Sequence, residues 1–167
     1  MPFKNLHSDV RSWFAKTWGR SGRHRGQSLV EMALLAPVLV LLLFSVVEMG
    51  RLFLAWVTVQ HAARTGVRVA ITGQGEQPEA RLALIQSVAR DAASHLRNVE
   101  IRVRSWDGAM TVGSGREGDP GGPCDLVEVE VRHTYRPVIA LMASLLPEPI
   151  NLIGRERKLN EPWRSCE

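Results

Sequence analysis

The sequence predicts an α+β protein: a long N-terminal transmembrane helix continues into a small domain with a second helix and a short antiparallel sheet. Three observations predict it. Sixteen consecutive residues, Met32 to Val47, carry no charge. Apolar residues then recur at helical spacing as far as about Thr72. After Val99 the apolar period drops from about 3.6 residues to about 2.

Extended back to Ser28, the apolar stretch has twenty residues, a helix of roughly 30 Å, which is the thickness of a bilayer core. A buried core helix is the alternative. A chain of 167 residues, however, has only one modest domain besides this segment and could hardly surround it. The formal charge of +4 and pI of 9.7 are placed unevenly. Residues 1–26 hold six cations (Lys4, Arg11, Lys16, Arg20, Arg23, Arg25) and one acid, Asp9, leaving 15 of the 21 cations and 16 of the 17 acids beyond Gly26. A basic flank beside an apolar span is retained in the cytoplasm, so the N-terminus is expected inside and the C-terminal domain outside. No basic face interleaved with aromatics remains elsewhere, so no nucleic-acid partner is expected. The expected organisation is a basic cytoplasmic leader or tail over 1–26, a transmembrane helix over 27–48 and an extracytoplasmic α+β domain over 49–167, anchored singly in the cell (inner) membrane. Within the tail, Leu6, Val10, Trp13, Phe14 and Thr17 share a helical face; it either lies on the membrane surface or is a disordered tail.

The helix is expected to run on from Ser28 to Thr72. Pro37 falls in its membrane half, where a kink is tolerated. Glu48 and Arg51, three apart, can pair at the membrane interface. Beyond them Leu52, Ala55, Val59, Ala62, Ala63, Gly66, Val69 and Ala70 keep an apolar stripe. Gly73-Gln74-Gly75 ends it. Pro78 suits the first turn of a second helix reaching about Arg97, with Leu82, Ile85, Ala89, Ala92 and Leu96 buried. Val99, Ile101 and Val103 alternate with Glu100, Arg102 and Arg104, and Val127, Val129 and Val131 with Glu128, Glu130 and Arg132, the second run continuing to Tyr135. These are half-buried strands, and arginines on one opposite glutamates on the other favour pairing. Asp107 to Pro123 reads as a long exposed loop. Val138 to Leu146, between Pro137 and Pro147, reads as a short helix or packed loop, and a last strand spans Ile150 to Leu159.

Nothing in the chain forms a catalytic constellation. His61, His95 and His133 lack metal-ligand spacing, and no C-x-x-C occurs, so neither metal nor cofactor is expected. Ser114, between Gly113 and Gly115, lacks the strand-to-helix elbow of a hydrolase nucleophile. No Lys-Ser/Thr follows the Gly-rich loop to cradle phosphate. Cys124 and Cys166 both fall on the outer side, where a disulfide persists. An even pair is consistent with one bridge or with two free thiols.

The informative cluster is Gly26-Gln27-Ser28-Leu29-Val30-Glu31-Met32. A glutamate just inside an apolar helix costs free energy and is usually kept for a partner. Cleavage after Gly26 would create an amine on Gln27, one helical turn from Glu31, able to pair with it within or between subunits. A long apolar region without a clear Ala-x-Ala after it argues against ordinary signal peptidase.

At these residues the chain resembles type IV prepilins, in which a glycine precedes the cleavage site and a glutamate is fifth in the mature chain. The longer stretch resembles the TadE-like family of the tight-adherence pilus system. The resemblance rests on Arg25-Gly26, on Val30-Glu31-Met32-Ala33-Leu34-Leu35-Ala36-Pro37, on Glu48-Met49-Gly50-Arg51 and on Ala62-Ala63-Arg64-Thr65-Gly66-Val67-Arg68. It departs at Met32, where processed members usually carry an aromatic. The resemblance implies a pilin-like outer domain and a non-catalytic minor pilin-like (pseudopilin) component that helps assemble or anchor a surface filament. Its implied partners are membrane lipid, other pilin-like subunits, assembly platform proteins and a prepilin-type peptidase. It makes Gly26 and Gln27 the processing site and Glu31 the assembly contact. The alternative is a bitopic anchor whose outer domain binds an unrelated envelope partner.

Overall fold

The computed structural model describes residues 22–75, 77–109, 113–139, 143–144 and 149–166. The amphipathic face expected at Leu6 to Thr17 lies outside these residues, as does most of the Val138–Leu146 segment. Among these residues two helices and four strands of some length follow in order: α1 (Gly22–Ile71), α2 (Pro78–Ala92), β1 (Val99–Trp106), β2 (Arg116–Glu117), β3 (Leu126–Tyr135) and β4 (Ile150–Leu159). This is the α+β class expected.

Helix α1 begins six residues before Ser28, so Gly26 lies inside it. Arg23, His24 and Arg25 contain no breaker, and extending an existing helix is far easier than nucleating one. Pro37 is accommodated within the helix. The chain divides between Ser45 and Val46 into two units. In the first, residues 26–44 are exposed all round, with Leu29 at 72% and Leu34 at 70%. Among the described residues α1 is the one helix long and apolar enough to cross a membrane, with mean hydropathy 2.6 over its most apolar 18 residues. A helix apolar on every side and covered by no protein fits a single-pass membrane protein.

In the second unit the remainder of α1 and α2 pack on one face of an antiparallel sheet of order β2-β1-β3-β4. Ala55, Val59, Ala62, Ala63, Val67 and Ala70 of α1 join Ile85 and Ala89 of α2 over Val103, Val127, Val129, Val131 and Leu152. Small residues on α1 allow close approach. A β-carbon on Gly66 would meet Val129 Cγ1 at 3.0 Å and Ala89 Cβ at 3.2 Å, and one on Gly154 of β4 would meet the Val59 carbonyl oxygen at 2.2 Å. Helix α2 stops at Ala92, five residues short of Arg97. The turn bonds Ser94 N–H to Asp91 O and Leu96 N–H to Ala93 O replace the helical ladder, and Asn98 takes a φ of 56° to enter β1.

Register sets Arg104 and Arg157 on either side of Glu128, and Arg102 and Arg155 on either side of Glu130. The Arg–Glu pairing expected between β1 and β3 occurs as Arg104–Glu128, and β4 adds Arg155 and Arg157 on the other flank. The described residues of the 107–123 segment differ from the exposed loop predicted: they include β2, with Ser105 opposite Arg116, and the buried Pro120.

Candidate functional site

The residues singled out at the membrane entrance sit on one exposed turn of α1. Gln27 Nε2 donates to Glu31 Oε1 at 3.2 Å, four residues along. Both side chains are exposed, and nothing lies within 4 Å of a β-carbon built on Gly26. Glycine at this helical position costs about 0.5–1 kcal/mol relative to alanine.

At the other end of the apolar stretch Glu48 is 3% exposed. Its carboxylate accepts hydrogen bonds from the Tyr135 hydroxyl and from the Val138 N–H at 3.2 Å. Arg51 lies close enough to act electrostatically on both the Glu48 carboxylate and the Tyr135 hydroxyl, so a tertiary contact is added to the attraction expected from i,i+3 spacing. A buried carboxylate needs several donors to offset desolvation, and the β3 exit supplies two. Glu48 thereby ties α1 to the end of β3.

Three places along the stretches that carry the family resemblance are now located in the structure. Gln27 and Glu31 share a turn, Glu48 is a buried anchor, and Ala62, Ala63 and Gly66 are the surface that admits the sheet. Residues 26–68 match the protein-family model described as TadE-like protein. That segment is TadE-like. No curated protein and no solved structure matches the chain.

Outside the TadE-like segment, two charged centres stabilise the domain. Glu128 and Glu130 are fully buried on the sheet face away from the helices. Arg155 Nε donates to Glu130 at 2.8 Å, Arg132 also pairs with Glu130, and Arg157, Arg155 and Arg104 surround Glu128. Burial pushes the Glu130 carboxyl up, but hydrogen bonds from Arg132 and Arg155 outweigh it and hold the group below the usual carboxylate range. The second centre is Arg116, bound to Asp107, Asp119 and Asp125. Asp119 is likewise pushed up by burial but held low by Arg116, Ser105 and the Gly121 N–H.

Nearby, the structure joins Cys124 to Cys166 in a disulfide with Cα atoms 5.8 Å apart. The tail it holds places Asn160 Nδ2 on the Pro120 and Gly122 carbonyls and Glu161 N–H on the Ile71 carbonyl at 3.0 Å. The Trp163 ring lies against Gly73 and 5.0 Å from the Arg81 guanidinium carbon.

No group of three or more His, Cys, Asp or Glu among the described residues is placed to hold a metal. Ser114 is an exposed turn residue and His61 is exposed on α1. His95 and His133 come together in one groove beside Tyr135, with His95 Nε2 3.4 Å from the Thr58 hydroxyl. Tyr135, Gly154, Arg116 and Arg81 escaped the sequence reading. Only Gly154 carried a usable signal, since an isolated glycine inside a strand marks a bulge or a close backbone approach.

Proposed function

We propose that this protein is a non-catalytic, pseudopilin-like component that helps assemble or anchor a tight-adherence pilus. It sits in the inner membrane with its N-terminus in the cytoplasm. The observation that carries the reading is the TadE-like match over residues 26–68 on a helix that continues from an exposed apolar stretch into a packed α+β domain. A prepilin-type peptidase cuts between Gly26 and Gln27, and Glu31 then pairs with the new amine on Gln27, within its own helix or on a neighbouring pilin-like subunit. Between subunits the pair fixes axial register, because a slip leaves a charge unpaired in lipid.

Glu31→Gln keeps shape and removes the charge. The expected outcome is normal membrane insertion with crosslinks to pilin-like partners reduced about tenfold, measured in native membranes. Wild-type crosslinking of the variant would instead favour a glutamate that only reaches to the headgroups. Intact mass of protein from cells with an active peptidase reads processing separately, the expected chain beginning at Gln27.

A further inference from the structure

We propose that the groove at the α1-entry end of the domain is a binding site for the phosphate of an anionic phospholipid headgroup. The inference rests on the reading of α1 as a membrane span and deepens it by assigning a lipid class and the residues that select it.

The groove, about 820 Å³, is lined by Arg51 from α1, His95 and Arg97 from the α2–β1 turn, and His133, Tyr135 and Arg136 from the end of β3. Three segments far apart in sequence thus bring three guanidiniums and two imidazoles to one concavity. No carboxylate is among its described lining residues; that of Glu48 lies behind the Tyr135 hydroxyl and offsets part of the Arg51 charge, which leaves Arg97 and Arg136 as the uncompensated pair. Arg97 and Arg136 are exposed and make no ion pair among the described residues, whereas the sheet arginines Arg102, Arg104, Arg132, Arg155 and Arg157 all pair with glutamates. The left-handed backbone of Asn98, φ 56°, reverses the chain just after Arg97. His133 Nδ1 is buried without a hydrogen-bond partner, a polar atom with unused capacity in the groove wall.

Depth selects lipid as the source of the phosphate. Arg51 follows Val47, the last residue of the charge-free run, by four positions, or about 6 Å of helix rise. Headgroups occupy roughly 5–7 Å on each side of the hydrocarbon core, so Arg51 lies at their level. Exposed Val138, whose N–H bonds the Glu48 carboxylate beside the end of the span, lines the same groove and suits the apolar region below a headgroup. Guanidiniums are matched to phosphate oxygens by their planar array of donors.

Native mass spectrometry of the full chain in detergent tests the site, with phosphatidylglycerol and phosphatidylcholine of the same acyl chains as probes. Phosphatidylglycerol should bind at least about tenfold more tightly. The Arg97→Gln/Arg136→Gln pair should lose about ten- to thirtyfold of that affinity, as expected for removing two basic groups from an anionic surface. Arg97→Lys/Arg136→Lys, which retains the charge, should keep most of it and controls for folding. Equal binding of the two lipids, or unchanged binding by the Gln pair, would overturn the site. Displacement of phosphatidylglycerol by millimolar inorganic phosphate would overturn the lipid source in favour of free phosphate. Release of the chain from carbonate-washed membranes would overturn the span itself, a failure distinct from that of the groove.

Discussion

A β-carbon at Gly154 would lie 2.2 Å from the Val59 carbonyl oxygen and 2.4 Å from its carbon, so the strand and helix backbones meet there with no side chain between them. Backbone cannot rotate aside as a side chain can. Gly154→Ala should therefore force β4 from α1 and destabilise the domain by about 3 kcal/mol, read as a lower urea midpoint with the fold retained. Glu48 presents the opposite case, a group whose burial needs a partner. Tyr135→Phe removes one of its donors while keeping the ring in the core, and should cost about 1–3 kcal/mol; the same denaturation measurement decides it. Neither partnership is visible along the chain, because Glu48 and Tyr135 are 87 residues apart and no local rule selects one tyrosine for one glutamate.

The sheet shows how much an element inherits from its periodicity. The last strand runs from Ile150 to Leu159 as expected, and β1 and β3 differ from expectation by one or two residues at an end. Alternation states which residues share a face; it does not state how deeply that face is buried. Glu128 and Glu130 read as solvent-facing, yet arginines on both flanks cover them completely. Their pH response follows from that. The folded carboxyl of Glu130 is held below its unfolded value of about 4.3. Its contribution is then fully present above that pH and is lost as pH falls through the folded value, because the unfolded chain takes up the proton first. Asp119 acts in the same direction. Stability of the wild-type domain should decline below about pH 4.3, and Glu130→Gln should flatten part of that decline while lowering stability at neutral pH. Thermal melts from pH 3 to 7 provide the test, and equal slopes in the two proteins would refute the assignment.

At the scale of the whole molecule, the disulfide closes the domain at the end remote in sequence from the membrane segment. Cys124 and Cys166 are separated by 42 positions, and a loop of that length is worth about 4 kcal/mol in the chain-entropy model. The Cys124→Ser/Cys166→Ser double variant should lose about that much, together with the seating of Trp163 over Gly73, which tryptophan fluorescence reports. The sequence by itself determined the apolar span, the continuation of its helix, the second helix, the strand alternation and the TadE-like segment. All of these depend on hydrophobic period, charge placement and short motifs, which are local properties of a chain. Tertiary structure alone decided which donors satisfy Glu48 and how closely α1 approaches β4. It also gathered the arginines around Glu128 and Glu130, and brought Arg51, Arg97 and Arg136 to one groove. Each of these depends on the distance between segments remote in sequence, and that distance exists only once hydrophobic burial has packed two helices against a sheet.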